Sequence, residues 1–327
     1  MSGAASGHAR PPSGAGEAPG RAGGSGGAVT AHERAPGKVN LGLAVLTRRG
    51  DGFHELETLF ARLELADELE LALLPDRPGE VDLSVAADPY PGAPKWFAAS
   101  VAALPADAGN LAARAAAAYL ERWAAAEGRE PPGATLRLVK RLPVAAGLGG
   151  GSSDAGAALR ALVRLVPGEV DVPALALELG SDVPFFVSGA SAALARGRGE
   201  RLLPAAVPAL PLVLAKPALT VSAAEAYAAL VGFTGRLGHE AALAALARGE
   251  EPGWRNGLQA GVMRAHGEVR ELLKDLRDLG LRGVLMSGSG PTCFGVAASD
   301  EAAAAAAAAL RARRPDLWVV STRTSGG

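Results

Sequence analysis

A run rich in glycine and serine, PVAAGLGGGSS, occupies residues 143–153 and carries the clearest chemical signal in the chain. It lies between a β-like segment (134–142) and an alanine-rich segment that predicts a helix from residue 154. Glycines let a backbone approach a ligand closely, and a helix start adds unpaired N–H groups and a positive dipole end. The run therefore predicts an anion cradle, most often one for nucleotide phosphates. A flexible surface loop is the alternative.

Two common nucleotide-binding loops do not fit this run. A Walker A loop needs a lysine directly after its last glycine, and Ser152 follows Gly151 here. A dinucleotide-binding fingerprint needs glycine at its sixth position, and that position is Ser152 when the count starts at Gly147. The run therefore belongs to neither class.

Two charged residues are candidates for chemistry beside such a site. Asp182 lies in GSDVP (180–184), a turn-like segment from which a lone carboxylate could point into a cleft; a simple turn aspartate is the alternative. Lys38 lies in APGKVNL (35–41), where the residues alone favour a simple charge at a strand edge. Phosphoryl transfer to a hydroxyl needs both a proton acceptor and positive charge, which these two residue types supply.

Residues 143–153 resemble the phosphate-loop pattern of the GHMP kinase superfamily, P-x-x-x-G-L-G-[GS]-[GS]-[SA]-[SA], at every position. The segments APGKVNLGL (35–43), GDGFHELETLF (50–60) and GSDVPFFVSGASAALARGRGERL (180–202) are similar to one branch of that superfamily. The segment MSGSGPTCFGV (286–296) is similar to its C-terminal glycine motif. This resemblance covers the chain from about residue 35 onward. It implies an ATP-dependent kinase that phosphorylates the 2-hydroxyl of a cytidine diphosphate-linked methylerythritol in non-mevalonate isoprenoid biosynthesis.

The resemblance also implies roles for individual residues. It makes Asp182 the catalytic base and places Lys38 beside it, where the ammonium would stabilise the carboxylate and the developing alkoxide. It assigns the whole glycine-rich run to ATP binding: Pro143, Val144, Ala145, Ala146, Gly147, Leu148, Gly149, Gly150, Gly151, Ser152 and Ser153.

Further residues are implied to bind the substrate. Phe53 would stack on the cytosine, and His54 would hydrogen-bond its polar edge. Tyr227 would supply the opposite stacking face, and Asn40 would bind the substrate diol. Each residue has an alternative explanation. Phe53 and Tyr227 could pack in the core, His54 could lie at the surface, and Asn40 could simply fix the backbone. Residues 287–290 are expected to line the cleft near the catalytic pair, although a tight turn needs the same glycines.

Magnesium is expected to accompany ATP and to bridge its phosphate oxygens. Ser153 could provide one protein ligand, and no second ligand can be assigned from the sequence. Another GHMP small-molecule kinase, acting on mevalonate or homoserine, is an alternative function. A non-catalytic ligand-sensing relative is another, although Lys38 and Asp182 argue against it.

Composition narrows the range of partners. Lys and Arg number 33 against 34 Asp and Glu, so neither a nucleic acid nor an anionic membrane surface is expected as a partner. No obligate protein partner is evident. The one cysteine, Cys293, fits a reducing cytoplasm and is expected to be a buried apolar residue. The first 30 residues have no apolar signal region, and the apolar run at 205–215 is too short to span a bilayer.

Strands and helices alternate without a steady βαβ rhythm, which favours an α+β fold with helices packed on mainly antiparallel sheets. The resemblance implies the two-domain GHMP kinase fold, with the active site in the cleft between the domains. We predict a disordered Gly/Ala-rich tail (1–33), an N-terminal ATP-binding domain (34–200) and a C-terminal domain (201–327). Predicted elements include strands at 38–48, 134–142, 184–188 and 191–196, and helices at 154–166, 173–180 and 256–279.

Overall fold

The computed structural model describes residues 29–326, so most of the predicted tail lies outside the described residues. The strands are β1 (Thr30–Arg48), β2 (His54–Leu74), β3 (Val81–Ala87), β4 (Gly133–Lys140), β5 (Ala192–Gly197), β6 (Arg201–Pro204), β7 (Pro211–Lys216), β8 (Arg282–Met286), β9 (Cys293–Val296) and β10 (Trp318–Arg323). The helices are α1 (Lys95–Ala102), α2 (Leu111–Glu127), α3 (Gly150–Leu165), α4 (Val172–Leu179), α5 (Val183–Val187), α6 (Ala223–Ala228), α7 (His239–Ala247), α8 (Gln259–Ala265), α9 (Gly267–Asp278) and α10 (Asp300–Arg313).

Two sheets form the framework of the described chain. The first has six strands, in the order β3-β4-β2-β5-β6, with β1 paired along β2. Its pairings are antiparallel except for the parallel pair β3–β4. The second sheet has four antiparallel strands in the order β10-β7-β9-β8. The predicted α+β class with mainly antiparallel sheets is confirmed.

The strand pairing shifts both predicted boundaries. β1 begins at Thr30, which pairs with Ala72 of β2, so residues 30–33 belong to the sheet and not to a tail. β6 pairs with β5 in the first sheet, so a boundary at 200 would separate a strand from its partner. A division between 205 and 210 leaves both sheets intact.

Besides β1, which begins eight residues before the predicted strand 38–48, three predicted elements differ from the structure. Residues 183–187 form the short helix α5 and not a strand, because Pro184 suits a first helical turn and a short apolar run has no diagnostic period. Helix α3 begins at Gly150 instead of residue 154, directly after Gly149 in a left-handed conformation. The helix predicted at 256–279 is broken into α8 and α9 at His266, whose backbone is extended.

The core joins the two halves of the chain. One cluster of buried side chains combines Leu41 of β1 and Leu63 of β2 with Leu212 of β7 and Phe294 of β9. Leu148 of the glycine-rich run belongs to the same cluster. In addition, Leu43 exchanges backbone hydrogen bonds with the 255–257 segment. The loop and the first strand are thus seated on a core common to both sheets. Within residues 29–326, no helix combines the length and apolar character needed to cross a membrane.

Candidate active site

The glycine-rich loop (residues 143–153) connects β4 to α3 and is crowded on its protein side. Gly147 and Gly149 have positive φ angles of 72° and 70°. A Cβ atom on Gly147 would lie 2.2 Å from the carbonyl oxygen of Ser287, and one on Gly149 would lie 2.9 Å from Cζ of Phe186. A Cβ atom on Gly151 would have no atom of the described residues within 4 Å. Glycine is therefore required at the first two positions by both backbone conformation and contact.

A buried ion triad lies beneath this loop. The Lys140 ammonium contacts a carboxylate oxygen of Asp67 and lies 2.5 Å from Oδ2 of Asp154. Asp67 also accepts hydrogen bonds from the backbone N–H groups of Arg141 and Leu142, at 2.6 and 2.7 Å. Burial raises the pKa of Asp154 to about 7, whereas the two carboxylates raise the pKa of Lys140 above its usual value despite its burial. The triad ties β2, the end of β4 and the first turns of α3 together.

Lys38 projects from β1 into the point where these elements meet. A bulge interrupts the β1–β2 register between Pro36 and Lys38, and the Lys38 N–H donates to the Leu148 carbonyl at 2.9 Å. Its ammonium donates to Oδ1 of Asn40 at 2.6 Å and to the carbonyl oxygen of Gly147 at 3.1 Å. It lies 3.6 Å from Oδ2 of Asp182. The structure thus brings together the two residues predicted to form the catalytic pair.

The two members of this pair differ in exposure. The Lys38 side chain is only 5% exposed, whereas that of Asp182 is 31% exposed. Burial lowers the pKa of Lys38, and the Asp182 carboxylate partly offsets that effect. Asp182 directly precedes α5, and its side chain makes no capping hydrogen bond there. Its carboxylate therefore lines the cavity with Lys38 as its ion-pair partner.

Asn40 is held by a short hydrogen-bond chain behind the pair. Its Nδ2 donates to the Thr58 hydroxyl at 2.7 Å, and that hydroxyl donates to the Gly42 carbonyl at 2.6 Å. The amide is thereby oriented with Oδ1 toward the Lys38 ammonium. The Asn40 amide thus bonds the side chains of Lys38 and Thr58, and it also lines the cavity beside them.

Residues 287–290 connect β8 to the strand β9 and lie against the glycine-rich loop. The Ser287 hydroxyl donates to the Gly147 carbonyl at 3.0 Å, and a Cβ atom on Gly288 would lie 3.3 Å from the Lys38 ammonium. Asn256, which the sequence reasoning missed, donates to the carbonyl oxygens of Met286 and Gly288, both at 2.8 Å. Its Asn-Gly dipeptide resembles an ordinary turn signal, so only the fold identifies this role.

A cavity of about 490 Å³ opens beside Lys38 and Asp182, the predicted catalytic pair. Residues from both halves of the chain line it, which is consistent with the predicted cleft between them. They include Lys38, Asn40, Phe53, His54, Gly147, Gly149, Asp182, Arg198, Tyr227, Gly288 and Ser289.

The aromatic end of the cavity is arranged differently from the predicted stacking slot. His54 and Tyr227 stack on each other, with ring centroids 4.9 Å apart and an interplanar angle of 12°. Burial, together with the charge of Asp182, raises the pKa of Tyr227. Phe53 is 51% exposed, and the guanidinium of Arg198 lies 4.5 Å from its ring centroid. The sequence reasoning missed Arg198, although its position between two glycines in GRGE is an available signal.

Comparison with known families identifies the class of protein. The model of the GHMP kinase N-terminal domain matches residues 110–190, which include the glycine-rich loop and Asp182. The model of the GHMP kinase C-terminal domain matches residues 238–316. Both halves of a GHMP kinase are therefore present in this chain.

Individual relatives narrow the class. The chain is 48% identical over 304 residues to 4-diphosphocytidyl-2-C-methyl-D-erythritol kinase of Deinococcus radiodurans, covering 90% of this chain and 93% of that protein. It is 47% identical to the enzyme of the same name from Thermus thermophilus, covering 85% and 92%. The chain belongs to the 4-diphosphocytidyl-2-C-methyl-D-erythritol kinase family, and it is a kinase.

Solved structures agree with this placement. A crystal structure of 4-(cytidine 5'-diphospho)-2C-methyl-D-erythritol kinase is similar at a TM-score of 0.74 and 45% identity, covering 90% of this chain and all of that one. Mevalonate kinase from L. major is similar at a TM-score of 0.63 but only 18% identity, so it supports the fold alone. ATP is the phosphate donor of the GHMP kinase family, and membership of this family is consistent with a small-molecule substrate.

Proposed function

We propose that this kinase transfers the γ-phosphoryl group of ATP to the 2-hydroxyl of 4-diphosphocytidyl-2-C-methyl-D-erythritol, in the non-mevalonate route to isoprenoids. The observation that carries the proposal is the placement of Asp182, 3.6 Å from Lys38, between the glycine-rich loop and the aromatic end of the cavity. A donor phosphate at the loop and a nucleoside at the aromatic end would leave the acceptor hydroxyl near this pair.

The proposed chemistry needs one proton transfer and one phosphoryl transfer. The Asp182 carboxylate accepts the hydroxyl proton as the hydroxyl oxygen bonds to the γ-phosphorus, and the bond from that phosphorus to the β,γ-bridging oxygen breaks to release ADP. The Lys38 ammonium, fixed by Asn40 and the Gly147 carbonyl, balances the negative charge that develops at the acceptor oxygen. Backbone N–H groups at the start of α3 hold the phosphates.

We propose Mg²⁺ as the companion of ATP, where it would neutralise phosphate charge. The Ser153 hydroxyl oxygen, in the first turns of α3, is buried and has no hydrogen-bond partner among residues 29–326. The described residues contain no group of three or more His, Cys, Asp or Glu that could hold a metal by itself. Mg²⁺ in kinases is held by one or two carboxylates together with substrate phosphates and water, so Ser153 alone does not make a full protein donor set, and the phosphates and water would supply the other ligands.

Substrate recognition is proposed to lie with Phe53, His54 and Tyr227, which would contact the cytosine, and with Asn40 near the methylerythritol diol. A mevalonate or homoserine kinase would leave this aromatic group without a role. The cytoplasmic location remains a prediction from the single cysteine, Cys293, which is buried.

The test compares Asp182→Asn, Lys38→Met and the double variant in single-turnover phosphoryl transfer. Each single change is expected to lower kcat by roughly 10²–10⁴-fold, the usual range for a general base, with binding of both substrates retained. The double variant should fall little further, because residues that act on one step are not additive. Lys274 and Asp278 form an exposed lysine–aspartate pair on α9, so Lys274→Met and Asp278→Asn serve as matched controls with unchanged turnover.

Near-normal turnover by Asp182→Asn would refute the base assignment. Strictly additive losses would mean that Lys38 serves the ATP phosphates and not the base. The substrate assignment is tested separately with wild-type protein, by a coupled ADP-release assay on diphosphocytidyl-methylerythritol, mevalonate and homoserine. Comparable kcat/KM on either of the last two would refute it.

A further inference from the structure

Arg160, in the middle of α3, joins that helix to two further elements, β1 and α5, through one guanidinium group. Its Nη1 donates to the carbonyl oxygen of Phe186 in α5 at 2.6 Å. Its Nη2 donates to the carbonyl oxygen of Arg34 in β1 at 2.8 Å, and its Nε donates to Oε2 of Glu33 at 2.9 Å. Glu33 is 9% exposed and Arg160 is 22% exposed, so these contacts are largely shielded from solvent.

These three elements are the ones that carry the proposed catalytic groups. Helix α3 begins in the glycine-rich loop, β1 carries Lys38 four residues after Arg34, and α5 directly follows Asp182. The Phe186 carbonyl lies in the last turn of α5, where helix carbonyls lack partners within the helix and carry negative partial charge. A guanidinium donor there fixes the C-terminal end of a helix whose N-terminal end holds Asp182.

Close packing transmits this anchoring to the loop. The Phe186 ring lies against the backbone of Gly149, and its Cβ would be 2.8 Å from a Cβ atom on Gly156 of α3. Arg62 of β2 donates to the neighbouring Phe185 carbonyl at 3.2 Å, so two guanidinium groups hold the same end of α5. A shift of α5 therefore moves Asp182 and presses Phe186 on the glycine-rich loop.

We propose that Arg160 is a positioning residue that sets Asp182 in its working place relative to Lys38 and the glycine-rich loop. This inference rests on the proposed role of Asp182 as the base. The same helix provides a matched control. Arg164, one turn further along α3, also pairs with Glu33, but its other hydrogen bond in the described chain goes to the His32 carbonyl and not to α5.

The experiment compares Arg160→Met with Arg164→Met by kcat, by nucleotide Kd and by thermal unfolding. Arg160→Met is expected to lower kcat about 10–100-fold, because misplacement of a catalytic group by about 1 Å can cost 10²-fold. The Kd for ATP should change less than threefold, and Arg164→Met should keep kcat within twofold of wild type. Equal kcat losses in the two variants, or a loss of ATP affinity as large as the loss in kcat, would overturn the inference.

A double variant separates positioning from general structural damage. If Arg160 acts through Asp182, then Arg160→Met should lower kcat less than twofold in an Asp182→Asn background; a loss there as large as in wild type refutes the inference. Arg160→Lys keeps the positive charge but cannot reach both carbonyls and Glu33 together, so an intermediate kcat is expected. If Arg160→Met does not fold, the proposal is tested with Arg160→Lys instead. A wild-type kcat in Arg160→Lys would then overturn it.

These outcomes are distinct from failure of the proposed function. Wild-type turnover by Asp182→Asn alone would refute the base assignment on which the inference rests. Wild-type turnover by Arg160→Met, beside an inactive Asp182→Asn, would refute only the positioning role of Arg160.

Discussion

Lys140→Met is expected to lower the free energy of unfolding by about 3–5 kcal/mol, the usual cost of leaving a buried charge without its partner. The Lys140 side chain is 4% exposed, and those of Asp67 and Asp154 are 0% and 4% exposed. Without the ammonium, two carboxylates face each other in the core. Protonating one of them at pH 7 costs about 4 kcal/mol, since an ordinary aspartate pKa of about 3.9 lies about three units lower. If one carboxylate takes up a proton to relieve the repulsion, the loss in the free energy of unfolding therefore falls in the same range as for an unpaired buried charge.

The neighbouring Arg141 provides a matched control. It forms ion pairs with Glu68 and Asp88 at the surface, and its side chain is 37% exposed. Solvent-exposed pairs contribute about 0–1 kcal/mol, so Arg141→Met should cost no more than that. Both variants are to be unfolded in urea at pH 7.5 and at pH 5, with the slope of the transition checked against wild type.

The pH dependence gives a second criterion for Lys140→Met. Acid neutralises the stranded carboxylates, so the variant should regain part of its lost stability as the pH falls from 7.5 to 5. A cost below about 1 kcal/mol at pH 7.5, equal to that of Arg141→Met, would refute the description of this triad as a buried anchor. A cost that did not change with pH would show that lost packing, and not uncompensated charge, causes the destabilisation.

Three further predictions concern the ion triad, the glycine-rich loop and the aromatic end of the cavity. The pKa of Asp154, about 7, lies above its ordinary value, so the stability that protonated Asp154 contributes is present at low pH and is lost as the pH rises from about 4 to 7. Asp154→Asn removes this titration. Its free energy of unfolding, measured in urea, should therefore vary less with pH across that range than that of wild type. Gly149→Ala places a Cβ at a positive φ and 2.9 Å from Phe186, so it should lower the free energy of unfolding by about 1–3 kcal/mol. Gly150→Ala is the control: the nearest contact of its Cβ is 3.5 Å away, and the free energy of unfolding should change by less than about 1 kcal/mol. Phe53→Ala should raise the KM for the cytidine substrate by roughly 5–150-fold, which is equivalent to about 1–3 kcal/mol of base stacking, and should leave the Kd for ATP unchanged. A similar rise in both the KM and the Kd would contradict a substrate role.

The sequence predicted the glycine-rich loop and the catalytic pair because their signals are local. A dense run of glycines before a helix is readable within eleven residues, and Lys38 and Asp182 each lie in a short motif of the family. The contact between them could not be derived from spacing, because they lie 144 positions apart along the chain. The fold brings them together through the bulge before Lys38 and the short helix after Asp182.

The supporting residues could not be predicted because their partners are distant in sequence. Asp67 meets Lys140 across 73 positions, and Arg160 meets Arg34 across 126. Taken alone, each is a charged residue of the kind that usually faces solvent. The helix α5 was mistaken for a strand because five consecutive residues, largely apolar, suit either element when both are buried. The His54–Tyr227 stack likewise depends on a tertiary approach that neither motif reveals.

The core shared by the two sheets has a consequence for how the molecule comes apart. Since Leu63 and Leu148 pack in one cluster with Leu212 and Phe294, neither half can lose its structure without exposing apolar surface of the other. Unfolding of residues 29–326 should therefore be a single cooperative transition, and not a stepwise loss of two domains. A destabilising change in the second sheet, far from the cleft, will raise the fraction of molecules in which the glycine-rich loop is unformed. Residues that never approach a ligand are thus under selection, because they affect the abundance of the folded protein and its nucleotide binding.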